Sequence, residues 1–80
     1  MLDPTQIERW IRDGLSCEHL EVVGDGRHFE ALIVSSSFAG LSRVQRQQRV
    51  NALLKPHFET ELLHALSMRC LTPAELPARG

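Results

Sequence analysis

Histidine and cysteine are the side chains of this 80-residue sequence best suited to bind a transition metal. They are His19, His28, His57 and His64, with Cys17 and Cys70. Imidazole and thiolate are the usual protein ligands of zinc and of iron–sulfur clusters. Neither cysteine belongs to a CxxC pair, so we do not expect a metal site built from this chain's cysteines alone. Each cysteine is instead predicted to be a small hydrophobic residue in a reducing compartment.

A helix is predicted at the start of the chain. Asp3 and Pro4 are typical N-cap and first-turn residues, and Gln6 completes the start signal. Four apolar residues then follow at helical spacing, and Gly14 marks the expected end. These are Ile7, Trp10, Ile11 and Leu15.

A β-hairpin is predicted next, from two short apolar and partly β-branched runs. The runs are Leu20–Val23 and His28–Val34, and an Asp-Gly turn within residues 24–27 joins them.

A second helix is predicted from the capping box of Ser42 and Gln45 through about Lys55, with Pro56 ending it. The residues from His57 to Glu61 are expected to form at most one helical turn. Leu62–Leu71 alternates as a third strand would. Thr72 and Glu75 form another capping box, which predicts a short final helix limited by Pro77.

The predicted fold class is therefore α+β, a single domain of residues 1–80 with the order α-β-β-α-(α)-β-α and a three-stranded mixed sheet. The helical crossover between strands two and three favours parallel neighbours. Parallel neighbours begin at the same end of a sheet, so His28 and His64 are expected to lie close together. The first strand runs the other way, which sends Cys17 and His19 to the opposite end, where Cys70 also finishes the third strand.

The second helix carries most of the positive charge. No Asp or Glu occurs between residues 31 and 58, whereas four basic residues accumulate there, namely Arg43, Arg46, Arg49 and Lys55. Several of them could share one exposed stripe, which is often only a solvated surface. Two functional interpretations remain open: binding of glutathione or an acidic partner surface, and contact with nucleic-acid phosphates.

Other functions find little support in the sequence. There is no nucleophile with a spaced general base and no phosphate-binding glycine loop, so we do not expect an enzyme. No apolar run approaches the ~20 residues of a membrane span, and the first residues do not resemble a signal peptide. The expected location is the cytoplasm.

Three segments resemble the BolA family, especially its short bacterial members. They are FAGLSRVQRQQ at residues 38–48, LHALSM at residues 63–68 and LTPAE at residues 71–75. The resemblance extends back to the hairpin at residues 22–26 and so covers nearly the whole chain. It implies a fold similar to a type II KH domain, in agreement with the predicted order of elements.

The resemblance also implies a function. BolA-like proteins form heterodimers with monothiol glutaredoxins around a shared [2Fe-2S] cluster, in which the glutaredoxin cysteine and glutathione supply two ligands. His64 matches the histidine of the family's His-Ala-Leu-Ser motif, and His28 falls where members have His or Cys. These two histidines are therefore the expected ligands, in iron–sulfur trafficking or iron sensing.

A nucleic-acid-binding transcriptional regulator is the alternative, because KH-like folds bind single strands and some BolA-like proteins are described as regulators. The segment Gly40-Leu41-Ser42-Arg43 precedes the basic helix, whereas the GxxG loop of a KH domain joins two helices, and aromatic residues are few. The sequence leaves open whether DNA is bound and whether the free protein is a monomer or a homodimer.

Overall fold

The computed structural model describes residues 2–60, 63 and 65–76, which form an α+β fold. The elements, in chain order, are α1 (Pro4–Gly14), β1 (His19–Gly24), β2 (His28–Val34), a 3₁₀ turn (Ser36–Phe38), α2 (Arg43–Glu59), β3 (Ala65–Leu71) and a second 3₁₀ turn (Pro73–Glu75). The predicted fold class is confirmed. None of the helices in these described ranges is long and apolar enough to cross a membrane.

Helix α1 has the predicted bounds. The Asp3 carboxylate accepts a hydrogen bond from the Thr5 N–H at 2.9 Å, which satisfies one of the free donors of the first turn. The helix ends at Gly14, and its apolar stripe buries Ile7 and Ile11 completely.

The three strands lie in the order β1-β2-β3. Strands β1 and β2 are antiparallel, whereas β2 and β3 are parallel, as the helical crossover predicted. Strand β2 has the predicted bounds. In the parallel pair, His28 lies beside Ala65 at one end and Val34 lies beside Leu71 at the other.

Both helices and the first 3₁₀ turn pack on one face of the sheet. This inner face and the helices share a core whose fully buried side chains include Ile33, Phe38, Val50 and Leu54. Burial of apolar surface of this kind is the main stabilising contribution in a small domain. The outer face carries exposed residues, among them Glu21, Glu30 and Arg69.

Helix α2 begins as predicted but ends later. The Ser42 hydroxyl accepts from the Gln45 N–H at 3.1 Å, and the Gln45 side chain accepts from the Ser42 N–H at 2.9 Å. The predicted end near Lys55 is wrong, because the helix continues through Pro56 to Glu59. Residues 57–59 of the predicted extra helical turn belong to this continuous helix, and Glu61 lies outside the described residues.

Tertiary packing explains why Pro56 does not end the helix. A proline in the last turn removes one backbone hydrogen bond, and contacts made by its neighbours offset that loss. The His57 ring stacks on Trp10 of α1, with centroids 3.5 Å apart and ring planes 8° apart, and Phe58 packs against the core. His57 is thus half buried by its contact with α1.

Strand β3 begins later than the sequence predicted. Leu63 precedes the strand, is buried, and donates its N–H to the His57 carbonyl at 3.2 Å. Leu62 and His64 lie outside the described residues. The start signal at Thr72 is confirmed, but it opens one 3₁₀ turn instead of a helix, and Pro77 lies outside the described residues.

The Arg46 side chain connects three separate parts of the chain. Its guanidinium donates to the Leu41 carbonyl at 3.0 Å and to the Cys70 carbonyl at 3.0 Å. It also forms a two-pronged ion pair with Glu75, whose second contact measures 3.1 Å. The Glu75 carboxylate in turn accepts from the Thr72 N–H. The second 3₁₀ turn is thus tied to α2 and to the end of β3.

The ion pair with Arg46 keeps the Glu75 carboxyl ionised to an unusually low pH. The hydrogen bond from Arg46, followed by the Thr72 N–H, lowers the pKa of Glu75 from 4.5 to about 2. Because the folded-state pKa lies below the unfolded value, the contribution of Glu75 to stability is complete above pH 4.5 and is lost as the pH falls through about 2. We expect a carbon-13 NMR titration of the Glu75 carboxyl to show a midpoint near pH 2 in the native protein. An ordinary midpoint near 4.5 in the folded chain would contradict the pairing, and Arg46→Met should move the midpoint up.

Candidate functional site

His28 is an exposed histidine at the start of β2. The next residue, Phe29, is buried in the core, so the alternation of a strand places His28 on the outer face of the sheet. Its backbone is held firmly. The His28 N–H donates to an oxygen of the Asp25 carboxylate at 2.9 Å, and the His28 carbonyl accepts from the Asp25 N–H at 3.2 Å.

The hairpin turn before His28 is organised by Asp25 and Gly26. The same Asp25 oxygen accepts from the Arg27 N–H at 2.9 Å, and these two backbone hydrogen bonds lower the pKa of Asp25. Gly26 has φ of 99°, a conformation that glycine adopts without strain. The sequence predicted the Asp-Gly turn but not the hydrogen bonds between Asp25 and the backbone of His28. The Asp-Gly pair itself could have predicted them, because the carboxylate of an aspartate in a turn commonly accepts hydrogen bonds from backbone N–H groups about two residues later in the chain.

The second predicted ligand, His64, lies outside the described residues. The described residue that comes after it in the chain is Ala65, the parallel partner of His28. The shared end of β2 and β3 is therefore where a histidine pair is expected from the sequence.

The described part of the chain contains no group of three or more His, Cys, Asp or Glu side chains arranged to hold a metal ion. At this end of the sheet, the part of the chain that the structure describes contributes the accessible imidazole of His28. A metal bound at this end of the sheet would therefore need further ligands, from His64, from another molecule, or from both.

The cysteines lie toward the opposite end of the sheet, as predicted. Cys70 pairs with Ile33, five residues along β2 from His28, which corresponds to about 16 Å. Cys17 precedes β1, whose first residue, His19, pairs with Val34 at that same end.

Burial makes both thiols poor metal ligands. It raises the pKa of the Cys70 thiol to about 11 and also raises the pKa of the half-buried Cys17 thiol. Both therefore remain protonated near neutrality, whereas the thiolate is the form that binds metals. His19 is exposed and lies 3.1 Å from the Glu21 carboxylate.

The four basic residues of α2 do not behave as one set. Arg46 donates to the Cys70 carbonyl at 3.0 Å, and Arg49 donates to the Ser37 carbonyl at 3.3 Å. Arg43 and Lys55 are both exposed. Since they are twelve residues apart on the helix, they are separated by about 18 Å and point in directions roughly 120° apart.

The chain is similar to several proteins over most of its length. The family model for BolA-like protein matches residues 11–75. The acid stress protein IbaG of Escherichia coli (strain K12) is 35% identical over 74 residues, which cover 92% of this chain and 88% of that protein. The DNA-binding transcriptional regulator BolA of Haemophilus influenzae is 38% identical over 57 residues, covering 71% of this chain and 54% of that protein.

Solved structures of BolA-like proteins are also similar to this chain. A bolA protein homologue from Coxiella burnetii superposes with a TM-score of 0.83 at 36% identity, over 94% of this chain and 96% of that one. The fold of this chain, including the antiparallel hairpin and the parallel β2–β3 pair, therefore superposes on that structure over nearly the whole length of both chains. The chain belongs to the family of BolA-like proteins.

Proposed function

We propose that this BolA-like protein binds a monothiol glutaredoxin and shares with it a [2Fe-2S] cluster, as a binding partner and not as an enzyme. The observation that carries the proposal is the parallel register of β2 and β3. It sets His28 beside Ala65, the residue that directly follows His64 in the sequence.

The available ligands suit such a shared cluster. Two imidazoles can replace two thiolates on one iron, as they do in Rieske centres. Two ligands from this chain would leave the cluster incomplete, and the cysteine of a glutaredoxin together with a glutathione thiol would complete it. Support comes from the accessibility of His28.

The chain's own contribution is to hold and present the ligands. The bonds between Asp25 and the backbone of His28 fix the strand start without occupying the imidazole. Because His28 is exposed, a partner can reach it without rearrangement of the core. A bound cluster supplies one-electron redox chemistry, and histidine ligation makes its binding sensitive to pH because the ligands must be deprotonated.

Coexpression with a monothiol glutaredoxin tests the proposal. We expect a coloured one-to-one heterodimer whose visible absorption and circular dichroism spectra differ from those of the glutaredoxin expressed alone. A colourless mixture that does not associate in the presence of glutathione and iron would contradict it. So would a coloured glutaredoxin whose spectrum is unaffected by this chain.

The cysteines provide a separate prediction. Cys17→Ser and Cys70→Ser should leave the spectrum of the heterodimer unchanged, because both thiols lie toward the other end of the sheet and are held protonated by burial. The visible spectrum of each purified complex is the measurement. Loss of the cluster in a Cys17→Ser complex that is still folded would mean that the ligands are assigned to the wrong end of the sheet.

A nucleic-acid-binding regulator is the second candidate function. It is favoured by the similarity to the Haemophilus influenzae protein, whose name describes a DNA-binding transcriptional regulator. Exposed Arg43 and Lys55 could contact phosphates, whereas Arg46 is already held by Glu75. Specific DNA binding with a steep salt dependence that is lost in Arg43→Ala would favour this function.

A further inference from the structure

A groove runs between α2 and the outer edge of β3. It has a volume of about 180 Å³, and residues of both elements line it. The lining residues are Arg43 and Gln47 of α2 and Met68, Arg69, Cys70 and Leu71 of β3. The groove lies toward the end of β3 remote from Ala65, so it is separate from the proposed cluster-binding end of the sheet.

The backbone of β3 presents hydrogen-bonding groups toward this groove. The Leu71 carbonyl faces β2, because it accepts from the Ser35 N–H at 2.9 Å. The Cys70 carbonyl faces the other way and accepts from Arg46. Since successive residues of a strand alternate in direction, the N–H and C=O groups of Leu66 and Met68 face away from β2. In the described part of the chain, no strand lies beyond β3.

The groove is also basic. Arg43 and Arg69 are exposed, and no described carboxylate forms an ion pair with either. The sequence from residue 31 to residue 58, which includes all of α2 before Glu59, has no acidic residue. An acidic segment would meet two cationic side chains beside an open strand edge.

We propose that the outer edge of β3 binds an extended acidic peptide segment of another protein by strand addition. The peptide backbone pairs with the N–H and C=O of Met68, and its carboxylates pair with Arg43 and Arg69. Because Arg46 already occupies the Cys70 carbonyl, the added strand ends there and is short. A strand edge offers donors and acceptors together. A peptide backbone satisfies both, whereas phosphate oxygens only accept, and this difference favours peptide over nucleic acid.

The test uses a capped seven-residue peptide that contains pairs of adjacent glutamates among valines, so that carboxylates project from both faces of the added strand toward Arg43 and Arg69. It is titrated into the uniformly nitrogen-15-labelled full-length protein. Titration followed by amide NMR should shift the Leu66 and Met68 signals and slow their hydrogen exchange. Arg43→Glu should weaken binding at least about tenfold, because it places like charges together. Lys55→Glu is the matched control on the same helix. Since it lies about 18 Å from Arg43, beyond the Debye length, it should change the affinity less than about twofold.

Three results would overturn the proposal. One is equal binding of a peptide methylated on every backbone nitrogen, because that peptide has no N–H to donate to the strand edge. Another is a Met68 amide that is already strongly protected from exchange in the free protein. The third is single-stranded DNA that shifts the same amides while the acidic peptide does not, which would make this groove a nucleic-acid surface.

Discussion

Replacing His64 with alanine is expected to remove most of the cluster from the heterodimer with a monothiol glutaredoxin. Loss of a direct ligand should weaken cluster binding by more than the roughly 10-fold to 100-fold caused by loss of an outer-shell partner. His28→Ala should have a similar effect. Cluster content can be measured as iron and sulfide per heterodimer, together with the visible spectrum.

Matched variants separate ligation from structural damage. His19→Ala removes another exposed histidine, at the opposite end of the sheet, and should leave the cluster intact. His28→Cys should retain a cluster with a shifted spectrum, because thiolate is also a ligand of iron–sulfur clusters. A full cluster with an unaltered spectrum in the double variant His28→Ala/His64→Ala would exclude both histidines as ligands.

Gly24→Ala is expected to destabilise the protein by about 2–3 kcal/mol. A methyl group at this position would lie 2.5 Å from the His28 carbonyl oxygen and would overlap the ring of Phe29. Neither neighbour can move freely, since one is strand backbone and the other is buried in the core. Urea denaturation should show a lower midpoint at unchanged slope.

Gly14→Ala is the matched control for this glycine. A methyl group there would also meet a neighbour, but that neighbour is the flexible end of the Leu53 side chain, which is only half buried. Alanine favours helix by up to about 1 kcal/mol over glycine, so the net change should stay within about 1 kcal/mol. Equal losses of unfolding free energy in the two variants would contradict this prediction, because the contact of a methyl group at Gly24 with the His28 carbonyl would then add no destabilisation.

Local sequence signals predicted the elements whose causes are local. The Asp3 cap, the Ser42 capping box and the hairpin turn are each formed by residues within a few positions of one another, and each appears as expected. The parallel pairing of β2 and β3 also followed from the sequence, because a helical crossover leaves few alternatives.

The differences arise where distant residues decide the structure. Helix α2 continues past Pro56 because His57 stacks on Trp10, which lies far earlier in the chain. Arg46 was grouped with exposed basic residues, yet it is held by the Cys70 carbonyl and Glu75. No local pattern indicates such partners. The four basic residues of α2 therefore do not form one exposed stripe, because Arg46 and Arg49 bond within the chain whereas Arg43 and Lys55 are exposed.

The most direct measurement of histidine ligation is pulsed EPR on the reduced heterodimer, with nitrogen-15 histidine incorporated only into this chain. We predict hyperfine couplings from two nitrogen-15 imidazoles to the cluster. In the small fraction of cluster that each single variant retains, His28→Ala should lack one coupling and His64→Ala the other. An assembled and reduced cluster that shows no coupling to nitrogen-15 from this chain would contradict ligation by either histidine.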